Sequence, residues 1–356
     1  GIFFKILNLL MTIFMLSLSK ITFMNVLLGI VVFFFTGCQI DETTKKAKAI
    51  VDKPPRKTIP YKLLALNAFF NDPRFGSLYY QVTDVLRNLK LNRLRVLIRW
   101  DDKAHPSPEM RPNFALLEEI LNSLPQDAKV LIVTTGTPTW MSDSSNWLSE
   151  NPRKTFIELW FKPLIQFLFT RTQVEAIQIW NEPNDMDQVE NRIMAFKDSG
   201  KYFELLKACS EFLKSSGQQI RILNGATTAI NQGGHGALNY NKELVKLGAH
   251  HLVDAWAIHF YGMQFERVFK NGGVADVLKR VKKPLWITES GARGINNQLE
   301  YGERVWPFLA ENFEFLARIY IYTYTEDAPS DQTYGLRNLS TRPYSDLYLH
   351  LLERVK

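Results

Sequence analysis

The sequence predicts an α/β protein built as one (β/α)₈ barrel, the TIM-barrel fold, and three observations support this prediction. From Tyr61 onward, short β-rich runs recur at intervals of roughly 30 to 45 residues. Longer amphipathic stretches separate them, which is typical of βα units that form a parallel sheet. The runs number eight, which is the number of strands that closes such a barrel.

The predicted strands follow the apolar runs of a chain that is 46% hydrophobic and 22% charged, enough to fill a large core. In chain order they cover residues 63–68, 94–99, 130–135, 176–181, 220–225, 253–259, 285–289 and 318–324. Helical apolar spacing is clear between or after them in residues 156–169, 202–215, 302–313 and 345–354. An open doubly wound sheet is disfavoured, because no phosphate-binding glycine loop follows an early strand. The glycine cluster at residues 233–236 is interpreted as a substrate-side or mobile loop.

The first 37 residues are almost entirely apolar and lead into Thr36-Gly37-Cys38. This segment resembles a bacterial lipoprotein signal, in which the cysteine becomes the lipidated first residue of the mature chain, although Phe35 replaces the usual aliphatic residue. The alternative is an uncleaved transmembrane anchor, since the stretch is long enough to cross about 30 Å of hydrocarbon. Met15 is the best candidate for the true start, because Lys20 then precedes the apolar core.

Both interpretations export the protein and hold it at a membrane, with residues 38–59 as a flexible tether and residues 60–356 as the catalytic barrel. The charge supports this division, because residues 1–57 hold eight cations and three anions, a net of +5 out of the formal +7. A folded domain with so little excess charge is not expected to bind nucleic acid. With Cys38 committed to lipid, Cys209 has no disulfide partner and is expected to be buried on a helix.

Two predicted strands end in a glutamate: Glu182 within Trp180-Asn181-Glu182-Pro183, and Glu289 within Thr288-Glu289-Ser290. The carboxyl ends of barrel strands form the active site of this fold. A pair of carboxyl groups there indicates glycoside hydrolysis, in which one is the acid/base and the other is the nucleophile or base. A separation of about 5 Å would give retention of configuration and about 6.5–9.5 Å inversion.

Across roughly residues 60–350 the chain resembles clan A of the glycoside hydrolases, and families 5 and 39 most closely. The resemblance implies that Glu182 is the acid/base, that Glu289 is the nucleophile and that the mechanism is retaining. It also implies that Asn181 binds the sugar 2-hydroxyl, that Arg99 keeps the nucleophile ionised, that His259 lines the subsite and that Tyr261 hydrogen-bonds the nucleophile.

Two aromatic residues are predicted to stack on sugar rings. Trp140 lies in a Thr137-Pro138-Thr139-Trp140 turn that resembles the Thr-Pro-x-Trp turn of family 39. The clan usually has a tryptophan on the eighth strand, where this chain has Tyr322-Thr323-Tyr324, and Tyr324 is chosen as the platform. This departure leaves the shape of the subsite, and therefore the sugar, open.

Two functions of different class are compatible with these residues. The first is an exported, membrane-tethered retaining glycosidase of a β-linked glycan, acting as a monomer without metal or cofactor. The second is a surface lipoprotein that binds glycan without turnover. A binder has no need of two carboxyl groups poised across a glycosidic bond, which favours the enzyme. The adjacent His250 and His251 lack a third ligand at suitable spacing, so no metal site is predicted.

Overall fold

The structure, a computed structural model, describes residues 53–354. The predicted signal at residues 1–37, the predicted lipidation site Cys38 and the tether up to residue 52 lie outside this range. The chain divides into two units at Lys53, and the second unit, Pro54–Lys356, contains every element named below. Within residues 53–354 no helix combines the length and the apolar character needed to cross a membrane.

Eight parallel strands form the barrel, which confirms the predicted fold. They are β1 Leu64–Asn67, β2 Arg93–Arg99, β3 Lys129–Thr135, β4 Val174–Ile179, β5 Arg221–Asn224, β6 Trp256–Tyr261, β7 Leu285–Gly291 and β8 Leu316–Ile321. Their order in the sheet is β5-β4-β3-β2-β1-β8-β7-β6, so each strand neighbours the next in sequence. A single parallel bridge between Leu223 and Ala255 joins the two ends of this sheet.

A side chain strengthens the seam between β5 and β6. Asn224 Oδ1 accepts a hydrogen bond from the Ala257 amide at 2.7 Å, and Asn224 Nδ2 donates to the Ala257 carbonyl at 3.0 Å. The carboxamide of Asn224 therefore replaces a pair of ladder hydrogen bonds where the strands separate. Every barrel strand then has a hydrogen-bonded neighbour on both sides, as closure requires.

The helices surround the barrel. They are α1 Leu78–Thr83, α2 Ala115–Ser123, α3 Pro152–Phe156, α4 Lys162–Leu168, α5 Val189–Ile193, α6 Ser199–Ser215, α7 Ala237–Lys246, α8 Glu266–Phe269, α9 Val274–Val281, α10 Gln298–Asn312 and α11 Asp346–Glu353. A π-helical turn at Asp84–Asn88 extends α1, and another at Ile157–Phe161 joins α3 to α4. Short 3₁₀ turns lie at Tyr61–Leu63, Pro73–Phe75, Thr139–Ser142, Ser144–Asn146, Leu148–Glu150, Gly234–Gly236 and Ala249–His251.

The strands are buried on both faces, since one face packs under the helices and the other fills the barrel. Six of the seven residues of β3 are buried, and all seven of β7. This explains why the sequence shows continuous apolar runs rather than alternation. Small and large side chains together fill one cluster of the core: Ala65, Leu131, Ala176, Leu223, Ala226, Ala255, Ala257, Trp286 and Tyr320.

The predicted tether is corrected at its last six positions, because residues 54–59 pack against α10. Arg304 Nη1 donates to the Pro54 carbonyl at 2.6 Å, the Lys57 amide donates to the Glu303 carbonyl at 2.8 Å, and Ile59 is buried. Residues 54–59 therefore belong to the packed barrel unit rather than to a flexible tether. Cys209 is buried in the middle of α6, as expected for a small apolar residue.

Asp84 is a buried carboxylate that ties three outer elements together. It accepts hydrogen bonds from the hydroxyls of Tyr324 and Tyr348, both at 2.8 Å, and from Asn88 Nδ2 at 2.9 Å.

Asp84→Ala should lower the free energy of unfolding by about 3 kcal/mol, because it leaves two buried hydroxyls without an acceptor. Urea denaturation measures this, with the exposed Asp127→Ala as control. A loss no larger than the control's would contradict the assignment.

Candidate active site

Glu182 is presented by a tight turn that follows β4. Trp180 and Glu182 both have left-handed backbone angles, with φ of 75° and 46°. Asn191 on α5 holds this turn: its Oδ1 accepts from Trp180 Nε1 at 2.6 Å, and its Nδ2 donates to the carbonyls of Glu182 at 2.8 Å and Asp185 at 2.7 Å. A rare backbone conformation persists when its surroundings fix it in this way. The Glu182 carboxyl is 24% exposed.

Glu289 lies near the end of β7 and is more enclosed, with 11% of its side chain exposed. Its Oε1 accepts a hydrogen bond from Arg95 Nη1 at 2.8 Å, and its Oε2 accepts one from the Tyr261 hydroxyl at 2.8 Å. Each carboxylate oxygen therefore has one donor. The predicted contact between Tyr261 and Glu289 is present.

The surroundings of Glu289 favour its ionised form. Burial alone raises the pKa of this carboxyl, but the charges of His259 and Arg95 and the hydrogen bonds from Tyr261 and Arg95 outweigh burial, so the pKa lies below its ordinary value. Burial raises the pKa of the Tyr261 phenol well above its usual range, and the neighbouring charge of Glu289 raises it further. Tyr261 consequently remains a hydrogen-bond donor.

His259, fully buried on β6, lies between the two glutamates. Its Nδ1 is 3.0 Å from Glu182 Oε1, while its Nε2 is 3.5 Å from Glu289 Oε1, which is longer than a hydrogen bond. A carboxylate oxygen of Glu182 and one of Glu289 lie within 4.8 Å of each other. The two carboxyl groups therefore lie close together at the carboxyl end of the barrel.

Arg95 is the centre of a polar network inside the barrel, and only 2% of its side chain is exposed. Besides Glu289 it donates to Asn67 Oδ1 at 2.7 Å, to Asn181 Oδ1 at 2.7 Å and to Gln178 Oε1 at 3.2 Å. Its guanidinium therefore fixes Glu289 and the predicted sugar-binding Asn181 at the same time. Arg95, Asn67 and Gln178 were not identified from the sequence.

The prediction that Arg99 contacts the nucleophile Glu289 is wrong. Arg99 ends β2, its side chain is 46% exposed, and its Nη2 donates to Glu190 Oε1 at 2.8 Å. Arg95, four residues earlier on the same strand, makes the contact with Glu289 that was assigned to Arg99. The spacing of about 3.3 Å per residue places these two positions about 13 Å apart along the strand.

The choice of Tyr324 as the stacking platform is also wrong. Tyr324 is fully buried and donates its hydroxyl to Asp84, outside the barrel mouth. Tyr322 lies just beyond the end of β8 and is partly exposed. Its ring contacts the ring of Tyr261 edge-on at a centroid distance of 6.1 Å, next to Glu289. Tyr322 therefore takes the position at the mouth.

Trp140 lies on the same face of the barrel but has its own packing. Its Nε1 donates to the His105 carbonyl at 2.9 Å, and its ring contacts the Trp100 ring at 5.4 Å. It is partly exposed, and no hydrogen bond or ring contact in residues 53–354 joins it to either glutamate. Its stacking on a sugar stays a prediction.

The two tyrosines of the eighth strand give a matched pair of variants. Tyr322→Ala should raise KM by about tenfold, since aromatic contacts at a binding site contribute roughly 1–2 kcal/mol, and should leave thermal stability nearly unchanged. Tyr324→Phe should leave KM unchanged and lower the free energy of unfolding by about 1–3 kcal/mol, because it leaves Asp84 one donor short. Kinetics and denaturation on both variants measure this, and the reverse pattern would restore Tyr324 as the platform.

Among residues 53–354, two sets of side chains are spaced closely enough to hold a metal ion: Glu182 with His259 and Glu289, and Asp185 with Asp187 and His235. In the first set, a hydrogen bond joins His259 to Glu182, and Arg95 and Tyr261 hold Glu289. In the second, His235 Nδ1 lies 3.4 Å from Asp185 Oδ1, as in an ion pair. Proximity alone is therefore no basis for assigning a metal to either set. The rings of His250 and His251 lie with their centroids 3.9 Å apart and their planes inclined by 43°.

An α/β barrel with two opposed glutamates at its carboxyl end is the architecture of a carbohydrate-cleaving enzyme. Comparison with family models confirms that class: residues 140–328, more than half of the chain, match the model described as glycosyl hydrolase catalytic core. The chain belongs to this family. A search of curated proteins finds no match.

Solved structures of similar fold include several enzymes of glycan breakdown. A monomeric β-xylosidase from Caulobacter crescentus CB15 has a TM-score of 0.59 and 16% identity over 84% of this chain and 69% of that one. An endo-β-1,4-mannanase from Thermotoga petrophila has a TM-score of 0.54 and 14% identity over 83% and 76%. A family 30 subfamily 8 xylanase, Xyn30A, from Clostridium acetobutylicum has a TM-score of 0.56 and 13% identity over 85% and 72%. At these identities the likeness shows the fold alone.

Proposed function

We propose that this glycosyl hydrolase is a retaining glycosidase that acts on a β-linked glycan. The observation that carries the proposal is the opposed pair Glu182 and Glu289, whose nearest-facing oxygens lie within 4.8 Å. The two groups also differ in environment, because Glu289 is held ionised by Arg95 and Tyr261 while Glu182 is more open to solvent. Such a difference separates a nucleophile from an acid/base.

In the first step, Glu182 gives its proton to the glycosidic oxygen and Glu289 attacks the anomeric carbon from the opposite side. The C–O bond to the leaving group breaks, and a covalent glycosyl ester forms on Glu289. In the second step, Glu182 takes a proton from water as the water attacks the anomeric carbon. The ester bond breaks, and Glu289 returns to the carboxylate state.

The supporting residues fit these two steps. Arg95 fixes the Asn181 carboxamide by its oxygen, which presents the amide nitrogen as a donor for the sugar 2-hydroxyl, a contact that strengthens in the transition state. Tyr261 and Arg95 compensate the charge that returns to Glu289 when the ester breaks. The hydrogen bond between His259 Nδ1 and Glu182 Oε1 holds the Glu182 carboxyl group in place.

The substrate is proposed to be a plant-type or cell-surface β-glycan, and the names of the structural neighbours suggest which polymers to test first. Those names include β-xylosidase, xylanase and endo-β-1,4-mannanase. We further propose that the enzyme is exported and tethered to a membrane by lipid on Cys38, and that it acts as a monomer. The proposals of export and tethering rest on the sequence of residues 1–59.

The variant Glu182→Gln tests whether Glu182 is the general acid, because the need for an acid depends on the leaving group of the substrate. With aryl β-glycosides whose phenol is a good leaving group, the variant should lose about tenfold or less in the first step, because little proton donation is needed. With unactivated β-glycans the loss should be about 10²–10⁴-fold, the usual contribution of general acid catalysis. Values of kcat/KM on paired xylosides, mannosides and glucosides measure this difference, because kcat/KM reports on the first step alone.

Asp187→Asn is the matched control, since this carboxylate is on the same loop and 88% exposed. It should behave as the parent on both kinds of substrate. An equal loss on activated and unactivated substrates in Glu182→Gln would contradict its role as the acid. Binding of glycan with no turnover by the parent would support the binding-lipoprotein alternative.

A further inference from the structure

The end of the barrel opposite the glutamates carries a basic patch with apolar side chains at its edge. It is formed by the connections that lead from α7 into β6, from α9 into β7 and from α10 into β8. We define the basic patch by its exposed or partly exposed members: Leu247, His251, Lys279, Arg280, Lys282, Lys283 and Phe315. These connections enter the strands at their amino ends, whereas the catalytic mouth lies at the carboxyl ends.

Four cations fall within five consecutive positions, 279–283. None of them forms a salt bridge with a carboxylate in the described part of the chain. Cations in the last turn of a helix complement its dipole, which accounts for Lys279 and Arg280 at the end of α9. It does not account for Lys282 and Lys283, which follow the helix.

The three connections lie side by side. The Leu285 amide donates to the Phe315 carbonyl at 2.8 Å, and the Trp256 amide donates to the Pro284 carbonyl at 2.9 Å. Leu247 and Phe315, in two of these connections, are 42% and 43% exposed. The same connections also carry two exposed carboxylates, Asp254 and Glu314, against the four cations of residues 279–283. Exposed apolar side chains beside clustered cations form the combination that binds the interface of an anionic membrane.

The first residues of the barrel unit pack along α10, and the helix ends just before the connection that contains Phe315. Lys57 Nζ lies 2.6 Å from Glu311 Oε1, in the last turn of α10, immediately before the connection that contains Phe315. Residues 39–53 are few enough to keep Pro54 within about 50 Å of a lipid on Cys38, even as a fully extended chain. A lipid on Cys38 would therefore keep the barrel, and with it the basic patch, at a high local concentration near the membrane.

We propose that the basic patch rests on an anionic phospholipid membrane and that the catalytic mouth consequently faces away from it. The lysines and Arg280 lie at the headgroup phosphates, where attraction extends over a Debye length of about 8 Å. Leu247 and Phe315 lie at the boundary between headgroups and acyl chains. The inference rests on the proposed tether, because the tether keeps the basic patch concentrated near the membrane. It does not depend on which glycan is the substrate.

Hydrogen exchange on the full chain reconstituted in nanodiscs tests this inference. We compare discs of zwitterionic phosphatidylcholine with discs that contain phosphatidylglycerol. In the anionic discs, exchange should slow at least threefold in peptides covering residues 246–252, 279–284 and 312–316. It should stay unchanged in peptides 137–147 and 326–334, which lie at the catalytic mouth.

The variant Lys279→Glu, Lys282→Glu, Lys283→Glu should lose this protection. The control Lys103→Glu, Lys197→Glu, Lys270→Glu has the same net charge but changes exposed lysines that follow β2, β4 and β6, at the catalytic end, and should keep it. Equal exchange in both kinds of disc, failure to associate with anionic discs, or protection of the patch by a short DNA duplex and not by anionic lipid would each overturn the inference. Hydrolysis of a soluble aryl glycoside in the same samples reports separately on the proposed activity.

Discussion

Glu289→Ala is expected to lower kcat by at least about 10⁴-fold, because loss of a nucleophile removes the covalent pathway itself. This is the largest loss of activity expected for any variant described here. Alanine also leaves a space below the anomeric carbon, beside Arg95 and Tyr261, which both remain as donors to an anion. Added azide should enter this space and restore turnover of an activated β-glycoside, with an α-glycosyl azide as the product.

Asp327→Ala is the control for this experiment, because Asp327 is a half-exposed carboxylate that pairs with Arg74 on the outside of the site. It should retain parental kcat. Unchanged kcat in Glu289→Ala would remove this residue from the mechanism. Azide rescue that yields the β-azide would contradict direct attack from the side of Glu289.

Arg95→Met is expected to lower kcat/KM by about 10²–10³-fold, since the variant loses the charge that fixes Glu289 and Asn181. It should also move the acidic limb of the pH profile to higher pH, because burial then raises the pKa of Glu289 with less to oppose it. Steady-state kinetics between pH 3 and pH 8 measure both effects. Arg99→Met is the matched control and should change kcat/KM by less than about threefold.

Stability should follow the same ionisation. The pKa of Glu289 is lower in the folded protein than in the unfolded chain, so its charge stabilises the fold above the unfolded pKa, and this contribution is lost as pH falls through the folded pKa. The difference in free energy of unfolding between parent and Arg95→Met should therefore be larger near pH 7, at about 3–5 kcal/mol, than near pH 3. If Arg99→Met lowered activity more than Arg95→Met does, Arg99 and not Arg95 would be the residue that supports Glu289.

The fold and the two glutamates could be predicted from the sequence because both depend on local patterns. Continuous apolar runs indicate strands that are buried on both faces, and their number indicates closure. Trp180-Asn181-Glu182-Pro183 is a contiguous motif, and Glu289 directly follows an apolar run. For these residues, position in the chain is enough to place them at the mouth of the barrel.

Arg95 and Tyr322 could not be placed by counting from strand ends, because the strands of a barrel are staggered. Arg95 is level with Asn67, the last residue of β1, although β2 continues for four more residues. The last residue of β2 therefore extends past the site and meets Glu190. A signal for Arg95 was present, since a charge within the apolar run 94–98 must be paired when it is buried.

The error at the eighth strand has a related cause. β8 ends at Ile321, and the chain then turns so that the Tyr324 amide bonds to the Asn67 carbonyl while the Tyr324 ring packs outward toward Asp84. Tyr322 and Tyr324 share one face only if the strand continues, and it does not. Long-range partners of this kind, Asp84 among them, leave no mark on the local sequence.

The configuration of the first product shows whether Glu182 and Glu289 perform a double displacement. Proton NMR during hydrolysis of a β-glycoside by the parent enzyme resolves the two anomers before mutarotation mixes them. A double displacement should give the β-anomer first. Initial formation of the α-anomer would contradict it, since a single displacement by water would then require carboxyl groups about 6.5–9.5 Å apart.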